Sequence, residues 1–117
     1  MSIAILVNAI FFFGMGILAI ARPNFVVSFV GLVPSVPDAR NEVRAVYGGF
    51  GLGISALLVL VAKDAELRSG VLLTVAVALL GMALGRVVSL VIERSGRWPW
   101  IFLVMETVLA GLLLLDR

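Results

Sequence analysis

Residues 70–92 read GVLLTVAVALLGMALGRVVSLVI. Arg86 is the only ionisable residue in the run, and the apolar pattern shows no period-two alternation. A bilayer hydrocarbon core is crossed by about 20 apolar residues in an α-helix. Only a helix lets such a segment pair every backbone N–H and C=O within itself, where no water can serve them. The stretch therefore reads as a transmembrane helix. Three more runs answer the same description: residues 3–21, 44–62 and 99–115. Trp98 and Trp100 mark the entrance to the last as an interfacial aromatic belt.

Composition agrees. Of 117 residues, 62% are hydrophobic and 14% charged, and mean hydropathy is +1.21. A soluble domain would carry about 25% charged residues. The expected fold is all-α, an integral membrane four-helix up-down bundle forming one domain over residues 1–117. The first run follows no Lys or Arg and is longer than a usual signal core, so it is expected to be a retained span. The net charge of +2 and the absence of a basic run argue against a nucleic-acid partner. Cysteine and histidine are both absent. That removes disulfides, His- or Cys-ligated zinc, iron–sulfur clusters, His-ligated haem and every His- or Cys-based triad. No metal and no cofactor is expected.

The connections differ in kind. Residues 63–69 and 93–98 are short and polar, which makes successive helices antiparallel neighbours. The first connection, residues 22–43, is long. Pro23 can open a short helix there, and Gly31 or Pro34 can close it. Phe25 to Val30 is too short to cross and is expected to lie in the interface. Asp38 is expected to cap the second span, which would run from about Ala39. Gly49 and Gly53, and Gly81 and Gly85, have the small-x-x-x-small spacing that lets helix backbones approach.

Four crossings put both termini on one side, here A, and the long first loop and the 93–98 loop on side B. Glu106 lies six residues past Trp100, about 9 Å inside the B face at about 1.5 Å per residue. Arg86 lies seven residues before Glu93, about 10 Å inside the same face. Lone ions in lipid cost several kcal/mol, so the two are expected to pair. Arg44 enters from side B on the second helix, with Tyr47, Gly51 and Ser55 on its stripe and Arg40 one turn outward. Glu42 points to a different face. Ser89 accompanies Arg86 at i+3.

These residues predict a polar cavity in the B half that binds a ligand through Arg44, Tyr47, Arg86, Ser89 and Glu106, with Arg40 and Glu42 at its rim. Two positive charges against one negative favour an anionic group, a carboxylate or a lipid phosphate. Each residue also has a plainer reading. The Arg86–Glu106 pair can serve only to fix helix register. Arg40 and Arg44 can snorkel to headgroups, and Tyr47 can be an interfacial aromatic. Ser55, Ser89 and Thr74 can bond to helix carbonyls. Orientation stays open: side B holds Arg22, Arg40, Arg44, Arg94 and Arg97, and side A holds Lys63, Arg68 and Arg117, a tie once Arg40 and Arg44 are assigned to the cavity.

The stretch from Arg40 to Gly49 (RNEVRAVYGG), Gly85-Arg86 with Ser89, Gly96-Arg97-Trp98-Pro99 and the late Glu106 together resemble the bacterial domain-of-unknown-function family numbered 4345, small four-span proteins similar in plan to the DoxX-like membrane proteins. The family pattern carries an Asp-Gly-x-Pro loop. Here the loop reads Ser95-Gly96-Arg97-Trp98-Pro99, and the nearest acid is Glu93. The resemblance implies a bundle in the bacterial inner membrane and supplies no activity. Three functions fit the residues: a protein that binds an amphiphile or lipid, an accessory or assembly subunit packing through its glycine faces on itself or another membrane protein, and a small proton-coupled carrier using Glu106. An enzyme is the least favoured, because Asp38, Asp64 and Asp116 all lie at membrane edges.

Overall fold

The computed structural model describes residues 1–117 and is helical throughout. Helix α1 spans Ile3–Ala21, α2 Pro23–Ser28, α3 Pro37–Val61, α4 Ala65–Ile92 and α5 Arg97–Asp116. Four of them, all but α2, are long and apolar enough to cross a membrane, which marks a multi-pass membrane protein.

The first span begins and ends where hydropathy puts it. Ser2 caps it, its hydroxyl accepting from the Ile5 N–H at 3.2 Å. Helix α2 opens on Pro23, whose ring fixes φ for a first turn. It closes at Gly31, with φ +79, the only positive φ in the chain. There the Gly31 N–H donates to the Ser28 carbonyl at 3.0 Å and the Leu32 N–H to the Val27 carbonyl at 3.1 Å, a Schellman closure that favours glycine.

Two starts differ from expectation. Asp38 does not cap α3. Pro37 takes the first helical position behind an extended Val36, and Asp38 sits inside the first turn, where its charge meets the helix dipole. Helix α4 begins at Ala65, not near residue 70, because the Asp64 carboxylate accepts from the Glu66 and Leu67 N–H groups, both at 3.1 Å. Most of the polar 63–69 segment is therefore helix rather than loop.

Helix α3 is not α-helical along its whole length. Residues Arg44–Gly49 form a π turn, with the Phe50 N–H donating to the Ala45 carbonyl five residues back. The turn lies where α1 and α3 come closest. A Cβ on Gly16 would stand 2.8 Å from the Gly48 carbonyl oxygen, and one on Gly51 2.8 Å from that of Phe12. Close approach within the chain is thus made by Gly16, Gly48 and Gly51. Gly53, Gly81 and Gly85 have nothing within 4 Å of a Cβ, and Gly49 meets only its own helix, so the paired spacings read from the sequence are not what joins helices inside the chain.

The bundle is two pairs, α1 with α3 and α4 with α5, each packed more closely within itself than with the other. It is correspondingly flat, 43 × 32 × 18 Å. At the A end the pairs converge on one core that includes Ile5, Phe12, Leu58, Leu72, Ala76 and Leu113. Two side-chain bonds sew it: the Ser55 hydroxyl donates to the Ala9 carbonyl at 2.8 Å, and the Asn8 amide to that of Leu109 at 3.2 Å. Arg68 pairs with Asp116, whose carboxylate also accepts from the Ser2 hydroxyl at 2.6 Å. Toward the B end the pairs diverge.

Candidate functional site

The space between the diverging pairs is a cavity of about 1270 Å³. It is larger than the ~300–1,000 Å³ usual for ligand sites. Its walls are Phe11 and Met15 of α1, Phe50 of α3, Met82 of α4 and Met105 of α5, and the α2 segment with Val26 and Phe29 closes part of it from the B end. Methionine and phenylalanine give a soft, polarisable lining that adapts to an apolar guest.

Arg86, Ser89 and Glu106 stand on the wall made by α4 and α5, and Tyr47 on that made by α3. Arg86 and Glu106 come to the same depth on antiparallel neighbours, as their spacing from the 93–98 loop requires. The Arg86 Nε donates to Glu106 Oε1 at 2.7 Å and Nη2 to Oε2 at 3.0 Å. This side-on, two-point pair uses both carboxylate oxygens. Glu106 is almost fully enclosed, its side chain 4% exposed against 27% for Arg86. The guanidinium also lies over Phe102, 5.2 Å from the ring centroid, where the ring face attracts the cation. Arg86 Nη1 and the hydroxyls of Tyr47 and Ser89 make no hydrogen bond within the chain, and all three residues line the cavity.

The structure therefore brings Tyr47, Arg86, Ser89 and Glu106 to one cavity. It leaves Arg44, Arg40 and Glu42 outside. Arg44 turns away and donates from Nε to the Ile20 carbonyl at 3.0 Å. That carbonyl is freed because α1 stops at Ala21, so the N–H four residues on does not turn back to it. The π turn is the second cause: a wider turn opens the angle between residues three apart, so Arg44 and Tyr47 no longer share a stripe. Arg40 reaches the Pro34 carbonyl from Nη1 at 3.4 Å. Glu42 lines a separate groove with Leu32, Val33 and Pro34, on whose wall Tyr47 also stands. The expected excess of positive charge is corrected accordingly: the charged residues lining the cavity are Arg86 and Glu106, and +1 and −1 sum to zero.

Three features were missed from the sequence. An aromatic column runs inward from α2, Phe29 to Trp98 at 4.8 Å between centroids and Trp98 to Phe102 at 6.0 Å. It ends under Arg86. Trp98 is therefore packed against the loop helix and is more than a belt residue. The spacing Trp98-x-x-x-Phe102, one helical turn, was the available signal. The π turn had a weaker one, the glycine pair Gly48-Gly49 within an apolar span. The Ser2–Arg68–Asp116 cluster joins residues that only the tertiary fold brings near each other. Among the hydroxyls, Thr74 bonds to the Gly70 carbonyl of its own helix at 2.8 Å as expected, whereas Ser55 bonds across to α1.

No curated protein and no solved structure matches the chain. A family model does, over residues 1–115. Nearly the whole chain is covered, so this four-helix membrane protein belongs to the family described as domain of unknown function (DUF4345).

Proposed function

We propose that the protein binds an amphiphile, with the apolar body between the helix pairs and the polar group against Arg86, Ser89 and Tyr47. The observation that carries the reading is the makeup of the cavity: an apolar space of about 1270 Å³ with one ion pair on its wall, its lining also holding donors that have no partner in the chain. Here the guanidinium stays partly open to the cavity, 27% exposed. The setting is taken to be a bacterial inner membrane with both termini on one side, as the family resemblance and the even number of spans imply.

Gly85 offers a clean test, because it lines the cavity and a side chain there meets nothing within 4 Å. Gly85→Phe should take up part of the space beside Arg86 without disturbing the bundle. Native mass spectrometry of protein released from detergent should show one lipid-sized adduct on the parent and a diminished one on folded Gly85→Phe. A parent stripped bare under the gentlest activation, or an undiminished adduct on Gly85→Phe, would sink the reading.

A second reading, packing against another membrane protein, has one observation in its favour. Gly70 and Gly81, eleven residues apart on α4, lie exposed with open space before them, where a neighbouring helix could approach closely. Crosslinking in cells from a photoreactive residue at Val77 should then trap one stable partner; crosslinks to lipid alone would remove it.

A further inference from the structure

We infer that the occupant of the cavity is electrically neutral and rich in hydrogen-bond acceptors, a glyceride-type ester lipid rather than a fatty-acid anion or an anionic phospholipid. The inference rests on the amphiphile-binding reading and names the chemistry of the guest.

Charge balance decides it. Arg86 and Glu106 already neutralise each other, both carboxylate oxygens being taken at 2.7 and 3.0 Å. An anionic headgroup would place a second negative charge beside one guanidinium, in surroundings where charges are weakly screened. The other side-B arginines, Arg22, Arg40, Arg44, Arg94 and Arg97, do not line the cavity, and three of them are engaged elsewhere. Arg44 is bonded to the Ile20 carbonyl, Arg40 to that of Pro34, and Arg97 lies over Trp98, 5.4 Å from the ring centroid. None of the three lines the cavity. A cationic guest fares no better, because it would face Arg86 while the oxygens of Glu106 are already engaged.

What remains for recognition is a set of donors. Arg86 Nη1 carries N–H groups and no acceptor, and the hydroxyls of Tyr47 and Ser89 can each donate. Ester carbonyls and glycerol oxygens accept such bonds and bring no charge. An unpaired donor in an apolar cavity is costly, so a guest that lacks acceptors is disfavoured as well. The remaining walls, with Phe11, Met15, Phe50 and Met82, suit acyl chains.

The test uses the full chain in a neutral detergent, with three probes of matched acyl length: monoolein, oleate at a pH where it is ionised, and dioleoylphosphatidylglycerol. Occupancy is read by native mass spectrometry. Monoolein should bind the parent roughly tenfold more tightly than either anion, and Glu106→Gln, which leaves Arg86 uncompensated, should raise oleate affinity roughly tenfold while moving monoolein by less than about twofold. Should Glu106→Gln fail to fold, the double variant Arg86→Gln with Glu106→Gln is neutral again: it loses the Arg86 donor and should bind monoolein more weakly, and it should show no gain for oleate. Either anion ahead of monoolein in the parent, no gain for oleate in folded Glu106→Gln, or a gain for oleate in the double variant overturns the inference and leaves amphiphile binding standing. Binding of none of the three probes to the parent overturns both.

Discussion

At the A end, Ser2, Arg68 and Asp116 tie α1, α4 and α5 together over a core in which Ile5, Leu58, Leu72 and Leu113 have no exposed surface. At the B end α1 stands apart from the α4–α5 pair around a cavity, and one ion pair lies between α4 and α5 on the cavity's wall. Both halves are built from Leu, Val, Ala, Met and Phe. The difference lies in what polar groups do. In the A half Asn8 and Ser55 spend their donors on backbone carbonyls of neighbouring helices and draw them close. In the B half Arg86 and Glu106 are long, meet at their tips and keep space beside them. Hydrophobic content alone therefore does not decide whether a membrane bundle is solid or hollow.

The comparison can be broken most sharply at the pair. Arg86→Met leaves Glu106 buried and alone and should cost about 3–5 kcal/mol of stability, whereas adding Glu106→Met should return the protein to near the parent value. Equilibrium unfolding in mixed detergent measures both. A single variant as stable as the parent would mean that the pair does not hold the B end.

Truncations should separate the halves next. Leu113→Ala empties space in the packed core and should cost about 2–5 kcal/mol. Met82→Ala only enlarges a cavity that already exists, and Met82 is 49% exposed, so it should cost less than about 1 kcal/mol. Thermal unfolding of the two variants in one detergent gives the contrast, and equal losses would erase it.

The smallest effect belongs to Ser55→Ala. It removes one bond between α3 and α1, and such bonds average about 0.6 kcal/mol in membranes. A loss several times larger would show that the bond also fixes the spacing of the α1–α3 pair.

Much of this was legible in the residues. The four spans, the loop helix between Pro23 and Gly31, and the Arg86–Glu106 pairing follow from hydropathy, proline and glycine chemistry and the cost of ions in lipid. These are local rules, or rules of depth. The side chains of Arg44 and Arg40 escaped because their choices depend on carbonyls freed elsewhere, at Ile20 and Pro34. Periodicity reads a helix as uniform, and the π turn at Arg44–Gly49 makes α3 locally wider. The glycines show the same limit. Spacing marks many of them as fit for close packing, but the three-dimensional arrangement chose Gly16, Gly48 and Gly51 and left Gly81 and Gly85 open.

The π turn also carries one residue more than a plain helix needs. Deleting a single residue between Arg44 and Gly49 would let the ladder close as ordinary α-helix, keeping the membrane-buried half of α3 seated on α1. The segment ahead of it would swing by about 100° around the axis. Tyr47 lies within the turn and lines the cavity, so chain length at this point acts as a rotary setting for the residues ahead of it.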